Sequence, residues 1–205
     1  MAKMRKILGK IYRFLCKVYN WPSNSSRILS CRTGAWRAGA HLVIGKRNRL
    51  GVPLRVNGRG SVKIGSGNRF GYGMAPMLGS GTILIQARTP QASITIGERN
   101  ATSNNISIVS INSIAIGNDC RIGDLVAIYD SDSHEINPAT RNRSAGKNAP
   151  VRIGNNVWLG SRVMVLKGVT IGDNSVIAAM SVVTKSVPPN TLAAGIPAKV
   201  IRSIE

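Results

Sequence analysis

The chain has 205 residues and a mass of 21.9 kDa, a size that suits one domain with an appendage. Hydrophobic residues make up 43% and the mean hydropathy is +0.02, which excludes a disordered chain. Because aromatic residues make up only 4%, we expect a core of Val, Ile, Leu and Ala. The formal net charge of +20 implies an anionic partner: nucleic acid, an acidic membrane surface or a phosphorylated ligand.

The charge is unevenly distributed. Residues 1–97 contain seventeen Lys and Arg side chains and no carboxylate, and the first acidic residue is Glu98. The three cysteines, Cys16, Cys31 and Cys120, form no CxxC pair, which argues against a disulfide scaffold or a zinc ribbon and favours a reducing compartment. The apolar runs are too short for a membrane span, and the N-terminus lacks the features of a signal peptide. We therefore expect a cytoplasmic protein.

Residues 1–21 are predicted to form a basic amphipathic helix. The apolar residues at helical spacing are Met4, Ile7, Leu8, Ile11, Phe14, Leu15 and Val18, and most Lys and Arg fall on the other side. Two interpretations remain open: peripheral contact with the anionic inner face of a membrane, or a cap over the open end of the repeats that follow. Residues 22–41 are predicted as a linker ending at His41, which we interpret as a structural or capping residue.

An internal repeat of six residues dominates the rest of the chain, over residues 42–190. Its first positions from residue 153 onward are Ile153, Leu159, Val165, Ile171, Ile177 and Val183. Its fifth positions are Val157, Val163, Val169, Ser175, Ser181 and Val187. The same phase appears at Ile116, Ile122 and Ile128, with weaker or shifted copies that begin at Ile44, Ile64 and Ile96.

A period of six fits a short strand followed by a corner. Gly, Asn and Asp cluster at the second to fourth positions, and these residue types tolerate the left-handed backbone conformation of sharp corners. Three such sides close a triangular coil of about eighteen residues, with stacked strands about 4.8 Å apart. We therefore predict an all-β parallel β-helix, with residues 191–205 as a C-terminal segment. An ordinary β-sandwich is disfavoured because its loops would break the phase.

The segment VRIGNNVWLGSRVMVLKGVTIGDNSVIAAMSVVTKSVPPNTLAAGIPAKVIR, preceded by IYDSDSHEI, resembles the hexapeptide-repeat acyltransferases. The similarity is closest from Ile116 to Arg202, to the maltose/galactoside and polysaccharide O-acetyltransferase branch. The resemblance implies a left-handed parallel β-helix. It also implies a homotrimer with active sites between subunits and acetyl-CoA as the acyl donor.

The repeat is interrupted at residues 130–150 by a polar segment, which we predict to be a loop that carries function. His134 lies at its entrance. Acetylation of a hydroxyl needs a base near neutral pH, and the resemblance assigns that role to a loop histidine, so we expect His134 to be the general base. Asp130, Asp132 or a backbone carbonyl would fix its tautomer. The alternative is a solvated histidine in a turn.

The resemblance further implies which residues bind coenzyme A. They are Gly160, Ser161, Ala179, Thr184, Lys185, Lys199 and Arg202. Backbone amides would hold the pantetheine arm and an oxyanion, and the three cations would meet the phosphates, although a solvated basic tail is the alternative for those cations. Relatives carry a small glycine-containing turn where this chain has Met180, which would narrow the acyl-CoA groove.

Four residues are candidates for the acceptor side of the site: Asn104, Asn105, Asp132 and Trp158. Trp158 either packs near the thioester channel or fills a corner of the coil. The two histidines do not supply the three-histidine zinc centre of carbonic anhydrases with this fold, so we expect no catalytic metal.

The sequence therefore predicts an acetyl-CoA-dependent O-acetyltransferase that acts on a sugar hydroxyl in cell-surface polysaccharide biosynthesis. Transfer to a small-molecule or antibiotic hydroxyl is the nearest alternative. A nucleic-acid-binding β-helix would use the positive charge but lacks interleaved aromatic residues, and the loop histidine argues against an inactive scaffold.

Overall fold

The structure is a computed structural model that describes residues 24–144 and 146–204. The amphipathic helix predicted over residues 1–21 lies outside the described residues. Within them, no helix has both the length and the apolar character that a membrane span requires.

In the part of the chain that the structure describes, twenty strands form three sheets. Sheet A contains β1 (His41–Ile44), β4 (Ser61–Ile64), β7 (Ser93–Ile96), β10 (Ser113–Ile116), β13 (Val151–Ile153) and β16 (Thr170–Ile171). Sheet B contains β2 (Arg49–Leu50), β5 (Arg69–Phe70), β8 (Ala101–Thr102), β11 (Arg121–Ile122), β14 (Trp158–Leu159), β17 (Val176–Ile177), β19 (Thr191–Gly195) and β20 (Ala198–Ser203). Sheet C contains β3 (Leu54–Gly58), β6 (Ile83–Ala87), β9 (Ser107–Ser110), β12 (Ala127–Tyr129), β15 (Met164–Val165) and β18 (Val182–Val183).

The chain visits the three sheets in turn and winds as a left-handed parallel β-helix, which confirms the predicted fold. Each strand from β1 to β15 pairs in parallel with the strand one coil later, and β17 pairs in the same way with β19. A regular coil takes eighteen residues, since Ile153 pairs with Ile171. The coil from Ile116 to Ile153 is the longest because it includes the loop at residues 130–150.

The hexapeptide phase determines what is buried. All twelve first-position and fifth-position residues from Ile153 to Val187 are at most 5% exposed, including Ser175 and Ser181. In a strand, side chains alternate between the two faces, so two inward residues separated by one outward residue fill each side of the prism. Stacked Ile, Val and Leu side chains form one continuous core along the axis.

The corners follow two different rules. The fourth position of the repeat takes a left-handed backbone, with φ of 52° at Asn156 and 60° at Asn174, as the composition predicted. Glycine occupies the second position for a different reason. A Cβ atom on Gly117 would lie 2.6 Å from the carbonyl oxygen of Gly154 in the next coil. Glycine is required there because stacked corners approach closely, not because of a positive φ.

A ladder of buried asparagines lines the corner between sheets A and B in the N-terminal coils. The Oδ1 atom of Asn48 accepts from the N–H of Asn68, Asn68 does the same for Asn100, and Asn100 for Cys120. Each Nδ2 donates to glycine carbonyls, as Asn68 does to Gly65 and Gly97. The ladder joins successive coils where the fifth position is polar rather than Val.

The predicted linker at residues 22–41 contains a helix, α1 (Asn24–Arg37), whose inward face carries Arg27, Cys31 and Ala35. The helix contacts β1, β2 and β3, the three strands of the first coil. At its start, the Oδ1 atom of Asn24 accepts from the N–H of Leu50 at 2.7 Å. Helix α1 therefore covers the N-terminal end of the coil stack. That is one of the two roles considered for residues 1–21.

At the C-terminal end, β19 continues sheet B in parallel with β17, and β20 then pairs with β19 in the antiparallel direction. This hairpin ends the regular winding and carries Lys199 and Arg202 on β20.

Candidate active site

The loop that carries His134 is anchored by a buried carboxylate. Asp130 directly follows β12 and is 0% exposed. Its carboxylate accepts three hydrogen bonds, from the Oγ of Ser110 at 2.6 Å and from the N–H groups of Ile111 and Asn112 at 2.9 Å each. A buried charge needs such partners, so this carboxylate fixes the point at which the chain leaves sheet C.

The base of the loop is closed by backbone pairing. Ser131 and Asn148 form an antiparallel bridge, and the N–H of Asp132 donates to the carbonyl of Lys147 at 3.0 Å. The two ends of the loop are thereby joined at the corner between sheets C and A. His134 lies only two residues beyond this closed base.

His134 is exposed, and its Nδ1 atom lies 3.3 Å from the carbonyl oxygen of Arg141 across the loop. A carbonyl can only accept, so Nδ1 carries the proton and Nε2 is the basic nitrogen. A backbone carbonyl, not Asp130 or Asp132, therefore fixes the tautomer. The carboxylate of Asp132 instead pairs with the Nζ of Lys167 at 2.5 Å.

A second cation reaches the loop from an earlier coil, at the end of a strand of sheet C. The Nη1 of Arg88 lies 3.5 Å from the Oγ of Ser133, and its Nε donates to the Oε1 of Gln86 at 2.8 Å. Sequence analysis did not identify Arg88, because it follows β6 some 45 positions before Ser133. The surroundings of His134 therefore include Lys167 and Arg88.

Gly160, Ser161 and Ala179 stack at the corner between sheets B and C. A Cβ atom on Gly160 would lie 2.5 Å from the nitrogen of Ala179, so the two corner backbones are in close contact. Ser161 and Ala179 are exposed, and within the described residues their N–H groups donate no hydrogen bond. Two unused backbone donors on one corner suit an amide-bearing arm or a developing oxyanion.

The remaining candidates for binding the donor lie farther along the axis. Thr184 and Lys185 are exposed at the corner between sheets C and A, directly after β18. On β20, Lys199 is opposite Ala194 and Arg202 is opposite Leu192, and both side chains are exposed. Met180 is 61% exposed beside Ala179 and has a φ of 62°.

The acceptor-side candidates have different positions. Trp158 is 56% exposed on the outer face of sheet B, so it does not fill a corner of the core. Asn104 is 0% exposed, and its side chain bonds the N–H of Tyr72 at 3.0 Å and the carbonyl of Tyr72 at 3.1 Å. Asn105 donates to the carboxylate of Asp124 at 3.0 Å. Both asparagines organise the wall of the corner between sheets B and C.

Within one chain, the candidates fall on two separate edges of the prism. His134, Asp132, Thr184 and Lys185 lie at the corner between sheets C and A. The second set lies between sheets B and C and consists of Asn104, Asn105, Gly160, Ser161 and Ala179. Sheet C separates the two sets, so a single chain does not bring His134 and the amides of Ser161 and Ala179 together.

One cavity beside the second edge was not predicted. It has a volume of about 280 Å³ and is lined by Arg69, Tyr72, Ala101, Ser103, Arg121 and Trp158, among others. The sequence did indicate that its two arginines point outward. Arg69 and Arg121 each directly precede an inward residue, Phe70 and Ile122, and side chains alternate along a strand. Larger cavities of about 1110 and 490 Å³ border α1 and contain none of the predicted site residues.

The described cysteines are unsuited to nucleophilic catalysis. Burial raises the pKa of the Cys31 thiol from 9.0 to about 11, and burial likewise raises the pKa of Cys120. A nucleophilic cysteine needs a lowered pKa and access to substrate. Among the residues that the structure describes, no group of three His, Cys, Asp or Glu side chains could hold a metal ion.

Comparisons with known proteins agree with this architecture. Residues 150–185 match the family model described as bacterial transferase hexapeptide (six repeats). The chain therefore contains, over these residues, the hexapeptide repeat that this family model describes. It is 42% identical over 113 residues to the galactoside O-acetyltransferase of Escherichia coli strain K12, a match that covers 55% of each protein. This hexapeptide-repeat chain thus spans about half the length of that curated relative.

Solved structures show the same fold. The polySia specific acetyltransferase NeuO is 27% identical with a TM-score of 0.57, over 80% of this chain and 74% of that one. A hexapeptide-repeat containing acetyltransferase of Vibrio cholerae, complexed with acetyl coenzyme A, is 23% identical with a TM-score of 0.55, over 100% of this chain and 91% of that one. The second likeness supports the fold alone.

Proposed function

We propose that this hexapeptide-repeat protein is an acetyl-CoA-dependent O-acetyltransferase that acts on a sugar hydroxyl in cell-surface polysaccharide biosynthesis. The observation that carries the proposal is His134, exposed on an anchored loop with Nδ1 held by the carbonyl of Arg141 and Nε2 left as a base. The names of two similar proteins, a galactoside O-acetyltransferase and a polySia specific acetyltransferase, support a sugar acceptor.

The chemistry follows from what each group can do. Acetyl-CoA supplies an acetyl thioester. Nε2 of His134 accepts the proton of the sugar hydroxyl as the hydroxyl oxygen attacks the carbonyl carbon of the thioester. The C–S bond then breaks, and the imidazolium donates the proton to the departing thiolate of coenzyme A. The free N–H groups of Ser161 and Ala179 are the candidate donors to the developing oxyanion and the pantetheine arm.

Four residues near the C-terminal end would bind the remainder of coenzyme A: Thr184, Lys185, Lys199 and Arg202. Their exposed cations suit its phosphate groups. We also infer a cytoplasmic location with peripheral membrane contact through residues 1–21, a proposal that rests on the basic amphipathic pattern of that segment.

We further propose a homotrimer whose sites lie between protomers. Two features support it. The candidate residues occupy two edges of the prism that are far apart within one chain. In a trimer, the edge between sheets C and A of one protomer can lie against the edge between sheets B and C of the next. In addition, the outward residues Ala127, Met164 and Val182 form an apolar row on sheet C, in contrast to Arg152 and Thr170 on sheet A.

The proposed activity is tested directly with the purified protein, acetyl-CoA and a panel of glycans, aminoglycosides and other hydroxylated drugs. Release of free thiol and the mass of the product are followed together. A glycan 42 Da heavier per transfer (the mass of an added acetyl group) supports the proposal. Acetylation confined to drug-like acceptors, or no thiol release with any acceptor, overturns it.

Mixed trimers test whether each site is shared. His134→Ala removes the base, and Ala179→Trp fills the exposed corner that carries the free amides. Each variant alone is expected to be inactive. If each site combines His134 of one protomer with Ala179 of the next, random 1:1 co-assembly restores about one quarter of the sites, since each site needs one suitable protomer at each of two positions.

The control is co-assembly of wild-type chain with His134→Ala, which retains about half of the sites in either arrangement. Recovery of activity in the mixture of the two variants is measured after co-expression with two different affinity tags. Activity that stays at the level of the single variants would show that one protomer supplies both groups.

A further inference from the structure

The cavity on the outer face of sheet B, which we name the sheet-B groove, is lined by Arg69, Tyr72, Ala101, Ser103, Arg121 and Trp158. Its floor is one register row, in which Arg69 is opposite Ala101, Ala101 is opposite Arg121, and Arg121 is opposite Trp158. At about 4.8 Å per strand, this row extends roughly 14 Å along the axis. The small side chain of Ala101 leaves a space between the two arginines.

The groove carries positive charge that no carboxylate neutralises. Among the described residues, neither Arg69 nor Arg121 makes an ion pair. The Nη1 of Arg121 donates to the carbonyls of Asp119 at 3.2 Å and Cys120 at 3.1 Å, which hold the guanidinium in place. Of the nearest acids, Asp119 is paired with Arg99.

The other nearby acid, Asp124, is buried at the same corner as Ser161 and accepts from Asn105. It is therefore turned away from solvent and already hydrogen-bonded. The net charge presented to a ligand in the sheet-B groove is that of its two arginines.

Two aromatic side chains complete the groove. Tyr72 is 58% exposed and Trp158 is 56% exposed, and exposed aromatic rings without a packing role are typical of binding sites. Tyr72 is held in place because its N–H donates to the buried side chain of Asn104. Aromatic faces pack against the C–H groups of a sugar ring, and guanidinium groups bind carboxylates. A volume of about 280 Å³ accommodates one monosaccharide unit.

The position of the groove fits an acceptor rather than the donor. Trp158 is two residues before Gly160, so the groove adjoins the corner with the free N–H groups of Ser161 and Ala179. The groove extends from there toward the N-terminal coils. The cations proposed to bind the phosphates, Lys199 and Arg202, lie in the opposite direction along the axis.

We propose that the sheet-B groove binds an acidic sugar of the acceptor glycan, with Arg69 and Arg121 on its carboxylate and Tyr72 and Trp158 on its ring. The proposal rests on the function proposed above and names its substrate class. Binding of the sugar carboxylate by the two arginines makes this protein selective for acidic over neutral acceptors.

The test compares an oligosaccharide of hexuronic acid with the same oligosaccharide after chemical reduction of its carboxyl groups. The double variant Arg69→Gln/Arg121→Gln is expected to lose about tenfold or more in kcat/KM for the acidic acceptor. It should change less than about twofold for the reduced acceptor, and the KM for acetyl-CoA should be unaffected. The control is Arg49→Gln, because Arg49 is paired with Arg69 in the same row but lies outside the cavity.

Binding is measured separately, by calorimetry with the acidic oligosaccharide at low and high salt. This readout keeps the proposal distinct from the proposed function, since the groove can bind an acidic sugar even if no acetyl group is transferred. Equal binding of both oligosaccharides, or equal losses with Arg49→Gln, overturns the proposal. A raised KM for acetyl-CoA in the double variant assigns the groove to the donor, and preferential binding of a single-stranded oligonucleotide assigns it to nucleic acid. Either result also overturns it.

Discussion

Replacing His134 with alanine is expected to lower kcat for acetyl transfer by a factor of about 10² to 10⁴. In the proposed mechanism, the imidazole accepts the hydroxyl proton. Its side chain is exposed, so its removal should leave the fold and the proposed assembly intact. Steady-state kinetics with the best acceptor from the glycan panel gives kcat. Analytical ultracentrifugation compares the assembly of the two proteins.

The matched control is His41→Ala, which removes the other histidine of the chain, exposed at the start of β1. It should keep nearly the full rate. If His134→Ala retains more than about a tenth of the wild-type kcat, proton abstraction by this imidazole is wrong. If both histidine variants lose activity equally, the loss is not specific to the loop.

Asp130→Ala is expected to lower the free energy of unfolding by about 3 to 5 kcal/mol, because it removes a fully buried carboxylate and leaves three donors without their acceptor. It should also lower kcat, since the loop that positions His134 loses its anchor. Urea denaturation measures the stability, and hydrogen exchange of the Ile111 and Asn112 amides reports the local opening.

Glu135→Ala is the control on the same loop. Glu135 accepts one hydrogen bond, from the Oγ of Ser144 at 3.1 Å, and its removal should cost about 1 kcal/mol or less. Unchanged stability in Asp130→Ala, with the Ile111 and Asn112 amides still protected, would show that the buried carboxylate does not anchor the loop.

The fold could be predicted in detail because one physical rule governs every coil. A large apolar side chain at the first position, for example Leu159 or Ile171, must point into the prism, and the two-residue alternation then places Val163 or Val169 inward as well. A register slip of one residue would turn all of these inward side chains to the outer face of the sheet. The pattern therefore specifies the register as well as the strand content.

Helix α1 was not predicted because its inward face is only weakly apolar. Arg27, Cys31 and Ala35 are the residues that it buries, and an arginine, a cysteine and an alanine give no clear hydrophobic periodicity. The helix is stabilised by its contacts with the first coil and by the hydrogen bond of Asn24 to Leu50. Tertiary contacts of this kind leave little trace in local sequence.

The site was predictable where it depends on the repeat and not where it depends on insertions. The family resemblance indicated Ser161 and Ala179, and both lie at a corner of the repeat with unused amides. By contrast, the sheet-B groove joins Arg69, Arg121 and Trp158 across coils of different length. The buried position of Asp130 arises from the return of the loop onto its own base, which composition does not encode.

The two ends of the coil stack have a consequence for assembly. Parallel coils expose unpaired backbone groups at either extremity, and an uncovered stack would template end-to-end fibres. Here α1 lies across the first coil, and β20 pairs in the antiparallel direction at the last edge of sheet B. These two elements therefore oppose longitudinal growth at the first coil and at the sheet-B edge of the last coil, and in the proposed homotrimer the copies associate along their flanks instead.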